Sequence, residues 1–446
     1  MYDSISIEDL RRPTVTLCNE GFAVDAFMAA SRKGMPGLRI ISESVPCESS
    51  VKDEVEAGIH EIMENILDAL TKPLAPEEQL PKTKELEKPS KIVFRGVLEE
   101  VNRFFYKRGW TDGLPIIPPT EEAVAEMLTG TDLPADHLVG KIEPRSGKAT
   151  IERIAINAVM AGALPTYMPV LIAGVEALLD PKPMSSTWEV STGSWAPFWI
   201  INGPLRNDLH INSGSGALSP GDIANAAIGR ALGLIIKNIG GARKGLEDMG
   251  VLGNPGKYTM VIAENEEISP WEALHVEYGF NKQDSTVTLF FPNCFTQIWH
   301  YSSDEKGILS TVLYNLIPGR GGLTCLVLNP SQAKVLAEKG WTKKEIAIFI
   351  SQYGRVPAYR HPSYWGVSGI VRKGMTPLNP TDPVAIIRDP GWIRIMVAGG
   401  PGAFMGLYSA AAHAQSDWVT KKIVLPENWD KLVHKYRTIV PTYDRH

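Results

Sequence analysis

No apolar run in this sequence reaches the roughly 18 residues that a membrane-spanning helix needs, so no transmembrane segment is expected. Basic residues are not in excess. The 45 Lys and Arg stand against 50 Asp and Glu, and a formal net charge of −5 offers no field for nucleic acid. Cysteine is scarce. The four present, Cys18, Cys47, Cys294 and Cys325, form no C-x-x-C pair and are too few for a disulfide scaffold in 446 residues. A reducing cytoplasm is the expected setting. The opening residues MYDSISIEDLRRPTV put acids before the basic pair and lack an apolar centre, unlike a secretory leader. Neither a Gly-x-Gly-x-x-Gly nor a Walker loop occurs, which removes two common signatures of a bound nucleotide. No repeat of fixed period is found.

What is present is ordinary globular composition, 44% hydrophobic and 21% charged, in a chain long enough for two or three domains. Composition divides it into three regions. In residues 1–70, Pro13–Cys18 and Leu38–Ser42 read as strands, and Ala23–Lys33 and Asp53–Leu70 as helices, the latter with Ile59, Ile62, Ile66 and Leu70 on one stripe. Two strands alternating with two helices make a parallel α/β unit too small to bury a core alone. Residues 71–91, TKPLAPEEQLPKTKELEKPSK, read as a charged, Pro-rich linker. Residues 92–446 alternate strands and helices throughout, which predicts a large α/β domain with a mixed or mostly parallel sheet.

The large domain is organised around residues 198–241. Phe198–Ile201 reads as a buried strand ended by Asn202-Gly203-Pro204, and a small-residue loop follows at Asn212-Ser213-Gly214-Ser215-Gly216. A helix is expected next, with Ser219 as N-cap, Pro220 at its first position and Gly240-Gly241 at its end. Such a loop feeding a helix start gathers free N–H groups that suit an anion; a tight connection that needs small residues for packing accounts for it equally well. Asn202, His210, Asn212, Ser213, Gly214 and Arg230 are the candidate binding residues of this stretch.

Two further stretches carry candidates. Gly109–Thr120, GWTDGLPIIPPT, is a rigid irregular connector that presents Trp110 and Asp112, either to a ligand or to the core and a turn. Tyr258–Ala263 reads as a strand that puts Glu264 and Glu266 at its carboxyl end, where open α/β sheets bind ligands. Ser269-Pro270-Trp271-Glu272 resembles a capping box for a short helix that carries His275 and Glu277. Glu264, Glu266 and His275 are candidate acid/base groups; their spacing fits no named metal motif but leaves room for a divalent ion. A second Gly-rich turn, Gly399–Gly402, is expected to precede an Ala-rich helix.

Several of these segments together resemble the large domain of the UGSC-associated proteins, a mostly uncharacterised bacterial group: GWTDGLPIIPPT at 109–120, NAVMAG at 157–162, INSG at 211–214, PGKYT at 255–259, AENE at 263–266 and SPWE at 269–272. That family is named for a selenocysteine- or cysteine-Gly-Ser-Cys motif in a small α/β module, whose later half PTVTL at 13–17 and GMPGLR at 34–39 resemble. This chain begins after the point where that motif would stand and contains no Cys-Gly-Ser-Cys. The resemblance implies thiol-based chemistry on a small molecule, with a second subunit supplying the motif or with Cys18 or Cys47 in its place.

The expectation is therefore an enzyme, or the large subunit of a heteromeric one, of reductase or lyase type. It would act on a small polar or anionic metabolite through a thiol, Cys18, and the acid/base groups Glu264, Glu266 and His275. Cys18 ends a strand before a helix, and the helix dipole would favour its thiolate. Two alternatives stand beside this reading. One is a metal- or acid/base-dependent lyase or hydrolase that uses no thiol. The other is a non-catalytic subunit that positions a partner bearing the redox motif. No cofactor is specified by the sequence. A second chain or further copies of this one are expected as partners.

Overall fold

The computed structural model describes residues 2–32, 34–45, 50–75, 91–362, 379–411, 416–437 and 439. Among the described residues no helix is long and apolar enough to cross a membrane. The protein is α/β, built of helices and several open sheets.

In the N-terminal region, helix Tyr2–Asp9 precedes strand β1 (Thr16–Asn19), helix Ala23–Arg32, strand β2 (Ile40–Glu43) and helices Lys52–Glu61 and Met63–Thr71. β1 and β2 are parallel, with Thr16 opposite Ile40 and Asn19 opposite Glu43. The helix between them provides the crossover that a parallel pair requires. The single helix expected over 53–70 is interrupted at Ile62, whose backbone (φ −98°, ψ 5°) leaves the helical region. Cys47 and residues 76–90 of the expected linker lie outside the described residues.

The large region opens with helices Leu98–Lys107 and Glu121–Leu128 and a hairpin of β3 (Leu138–Ile142) and β4 (Gly147–Thr150). Thr150 caps helix Ile151–Ala161 by accepting the Arg153 N–H. Helix Met168–Leu179 is apolar on nearly all sides and accordingly buried on nearly all sides.

The remaining strands are β5 (Phe198–Asn202), β6 (Val261–Ala263), β7 (Thr286–Phe290), β8 (Cys294–Trp299), β9 (Thr324–Leu328), β10 (Arg355–Pro357), β11 (Pro383–Ala385), β12 (Ile393–Val397), β13 (Phe404–Ser409) and β14 (Val419–Lys422). Two four-stranded sheets share one plan. In the first, β6 is parallel to β5, β5 antiparallel to β7, and β7 antiparallel to β14. In the second, β12 is parallel to β9, β9 antiparallel to β13, and β13 antiparallel to β8. Each parallel pair is joined by a helical crossover. Helices Leu205–Asp208 and Ile223–Ile235 lie between β5 and β6; helices Pro330–Glu338 and Lys343–Tyr353 lie between β9 and β12. The fourth strand of each unit crosses over: β8 completes the second sheet and β14 the first. The fold is thus an internal duplication with exchanged edge strands, and both sheets are mixed rather than mostly parallel.

The second sheet lies between two apolar cores. Cys325 and Val327 of β9 face the core built around β5 and helices Ile151–Ala161 and Ile223–Ile235, whereas Leu326 and Leu328 face a second core with helix Glu305–Tyr314. This is the two-residue alternation of a strand covered on both faces. The sheets meet where Phe198 stacks on Tyr408, ring centroids 4.3 Å apart, and where Asn265 N donates to Val397 O at 2.7 Å.

Three local expectations are corrected. The helix expected from Ser219 begins at Ile223, because the Asp222 side chain accepts the Asn212 amide instead of leaving the preceding turn free to continue the helix. Ser269 forms a local turn with Trp271, and the short helix runs from Leu274 to Glu277. The Gly399–Gly402 turn leads into β13, not into a helix.

Candidate active site

β5 and β6 are parallel, so their carboxyl ends lie side by side, with Asn202 at one and Glu264 just beyond the other. Asn202 is fully buried. Its Nδ2 donates to Glu264 Oε2 at 2.7 Å and to Glu266 Oε1 at 3.1 Å. One short amide thus holds two carboxylates that would otherwise repel each other.

The two carboxylates have different surroundings. Glu264 is wholly buried, accepts the Leu274 N–H at 2.7 Å, and faces Lys343 Nζ at 3.3 Å. Lys343, 7% exposed, also donates to Glu272 O at 2.7 Å and to Glu277 Oε2 at 3.3 Å. A buried ion satisfied by this many donors is a fixed structural charge. Glu266 is partly open. Its Oε1 accepts the Gly203 N–H at 2.7 Å and lies 3.2 Å from Arg206 Nε. Gly203 carries φ 89°, and a Cβ there would come within 2.2 Å of Asp284 O. Glycine is therefore required for this N–H to face Glu266.

His275 stands behind Glu266. It is completely buried, its Nδ1 is 4.0 Å from Glu266 Oε1, and among the described residues neither ring nitrogen has a hydrogen-bond partner. Asn202 Oδ1 is likewise buried and unpaired. Unpaired buried polar atoms are costly and gather at functional sites. Around them four carboxylates share few cations: Glu266 and Glu267 pair with Arg206, Glu264 and Glu277 pair with Lys343, and Arg394 acts on Glu277 from further away. Burial works to lower the pKa of Arg206, but its bond to Glu267 and the charges of Glu266 and Glu267 raise it on balance. That same bond lowers Glu267 to about 2. Burial raises Glu277, against the pull of Lys343.

The Gly/Ser loop borders this cluster. Ala263 N reaches Asn212 O at 3.4 Å, and Gly399 N from the second sheet reaches Ser213 O at 2.8 Å. Asn225 fixes the loop by accepting Asn212 N and donating to Asn212 O and Ala217 O. Asn212 Oδ1 takes the Gly214 N–H, while the N–H groups of Ser213, Ser215 and Gly216 have no protein partner among the described residues. Gly400 packs so closely on the loop that a Cβ would lie 1.8 Å from Ser215 Oγ. Among the described residues no group of three or more His, Cys, Asp or Glu side chains is arranged to hold a metal ion.

The other candidates make different contacts. His210 has a left-handed backbone (φ 53°) and is exposed. Arg230 grips Asp112 in a two-pronged pair, 2.7 and 3.0 Å, and also donates to Pro115 O. It sits two turns into its helix, about 10 Å beyond the start that borders the loop. The pairing lowers Asp112 against the opposing effect of burial. Trp110 packs edge-on against Phe104 and Phe105 and lines a cavity of about 860 Å³ together with Asn157 and Asn238. Cys18 lies within β1. Burial raises its thiol, with only partial relief from Ser42, opposite to the thiolate expected from a helix dipole. Two residues of the cluster escaped sequence reasoning: Arg206, inside a four-residue helix, and Lys343, which reads as one of two solvated lysines at a helix start.

Residues 1–72 match the UGSC family. No curated protein and no solved structure matches the chain.

Proposed function

With a UGSC-family segment at residues 1–72 as premise, we propose that this chain is an enzyme, or the large subunit of one, that moves a proton on a small polar metabolite. One observation carries this reading. Glu266, at the carboxyl ends of two parallel strands, has one oxygen held by Gly203, Asn202 and Arg206 and a buried histidine with free ring nitrogens behind it. A carboxylate oriented so firmly suits a general base, and His275 is placed to hold or return the proton. The free N–H groups of the 213–216 loop beside it favour a metabolite that carries a carboxylate or similar anionic group.

The thiol-assisted form of the reaction rests on the N-terminal segment and Cys18. A thiol raised by burial would enter as a proton donor rather than as a resting thiolate. A heteromeric enzyme is supported by that same segment. Among the described residues its sheet has two strands, and Leu10, Phe27, Val51 and Leu67 are more than half exposed, so a second kind of chain adding strands and covering these side chains is the partner we infer.

The test is solvent exchange. The protein is incubated in D₂O with a pool of small polar metabolites, and deuterium entering carbon-bound positions is followed by mass spectrometry. Incorporation that Glu266→Gln abolishes supports the proposal, and none in the wild type rejects it. Cys18→Ser decides whether the thiol takes part. The mass of the purified complex in solution decides the partner: a monodisperse monomer with full activity would remove the second chain from the reading.

A further inference from the structure

β6 is three residues long, and both of its ends open on functional-looking space. Its carboxyl end meets the glutamate cluster. Its amino end, at Met260, meets a separate cavity of about 520 Å³, within the size range of small-molecule sites. At about 3.3 Å per residue, the two lie about 10 Å apart along the strand.

The cavity combines apolar walls with a few convergent polar groups. Met260, Phe295 and Tyr408 give it an apolar side. Arg320 is half-buried in it, and among the described residues its guanidinium makes no hydrogen bond or ion pair. Asn293, anchored through its backbone N–H to Ser409 O at 3.2 Å, has a buried Oδ1 with no partner among the described residues. Cys294, the first residue of β8, is half-buried in the same wall, and its sulfur lies 3.8 Å from Thr296 Oγ1. A half-buried guanidinium with no counter-charge among the described residues leaves a cation free for an anionic ligand, and the buried acceptor beside it carries a cost that a donor on that ligand can remove.

We propose that this cavity binds a small carboxylic acid with an apolar body. The guanidinium fork matches a carboxylate in geometry and charge. Asn293 Oδ1 accepts from a hydroxyl or amide N–H on the ligand, and the body rests on Met260, Phe295 and Tyr408. Cys294 reports occupancy, because a ligand in the cavity covers its sulfur.

The experiment uses benzoate as probe and benzyl alcohol as its neutral counterpart. The full-length protein is treated with iodoacetamide, and alkylation of the Cys294 and Cys18 peptides is followed separately by mass spectrometry. Benzoate is expected to slow alkylation at Cys294 by about 5-fold when it occupies about four-fifths of the sites, to leave Cys18 unchanged, and to be matched by no effect of benzyl alcohol. Arg320→Met is expected to abolish the protection. Arg320→Lys keeps the charge but loses the fork, and should need about ten times more benzoate; it decides the matter if Arg320→Met fails to fold. An unchanged Cys294 rate up to the solubility limit of benzoate would overturn the proposal. So would equal protection by benzyl alcohol, or a benzoate dependence that neither arginine substitution alters.

Discussion

Asn202 and Asn329 occupy the same point in the two duplicated units. Glu264 N donates to Ile201 O just before Asn202, and Ala398 N donates to Leu328 O just before Asn329. Their side chains serve different ends. Asn202 holds Glu264 and Glu266, whereas Asn329 caps helix Pro330–Glu338 and ties down Gly402 O and Phe404 O, each at 2.8 Å. The carboxylates of the first unit are answered in the second by Ala398 and the Gly399–Gly402 turn. Among the described residues the carboxylate pair stands in one unit, and the other contributes the turn that packs against the neighbouring loop.

Glu266→Gln keeps the shape of the side chain and its contact with Gly203 N but removes the base. Deuterium incorporation should fall by about 10²-fold or more. His275→Gln should also lower it and, unlike a purely structural change, should alter its dependence on pH. Equal rates in all three proteins would remove both residues from the chemistry.

Gly203→Ala tests the backbone that aims at Glu266. The new Cβ meets main-chain atoms of Asp284 and Ser285 at 2.2 and 2.6 Å, which cannot swing aside as a side-chain tip can. With the positive φ added, a loss of about 2 kcal/mol or more is expected in urea unfolding, together with reduced turnover.

Lys343→Met strands the buried Glu264 charge. The expected cost is about 3–5 kcal/mol, seen as a lower unfolding midpoint. Lys343→Met combined with Glu264→Gln should recover part of it, because the double change removes both ions. A double variant no more stable than the single one would show that Lys343 acts through packing.

Glu189 is buried with neither carboxylate oxygen hydrogen-bonded, and burial raises it well above its ordinary value of 4.5. The native state therefore holds this proton more tightly than the unfolded chain does. Its contribution to stability is complete below pH 4.5 and is lost as pH rises from there towards the folded value. Glu189→Gln cannot ionise, so its stability relative to wild type should be greater at pH 8 than at pH 5. A constant difference in unfolding free energy over that range would refute the assignment.

The first unit's site was legible wherever local signals coincided. An apolar run ending in Asn-Gly-Pro marked β5, and a strand-like run ending in Glu-Asn-Glu marked β6, so Asn202, Glu264 and Glu266 could be placed at strand ends before any packing was known. His275 followed from the short helix, although the cap was misplaced. Lys343 was not legible. Thr342 and Glu345 form a capping box, but what buries the lysine between them is Glu264, Glu272 and Glu277, more than 60 residues away in sequence. The partner of Arg230, Asp112, was not legible because it stands more than 100 residues away, and the raised thiol of Cys18 was not legible because burial is set by packing. The duplication was hidden since it lies in strand order and not in residue identity: Phe-Trp-Ile-Ile-Asn and Thr-Cys-Leu-Val-Leu-Asn share little beyond apolarity and the final amide.

The exchange of edge strands fixes when the molecule can be finished during synthesis. β5, β6 and β7 leave the ribosome well before residues 419–422, yet β14 is what covers the outer edge of β7, with Thr288 and Thr420 joined through their hydroxyls at 2.9 Å. Until residues 419–422 emerge, the nascent chain carries an open strand edge beside its own glutamate cluster, the kind of edge that recruits chaperones or a second chain. A ribosome that stalls in the second unit therefore releases a product whose first unit, though fully translated, cannot close.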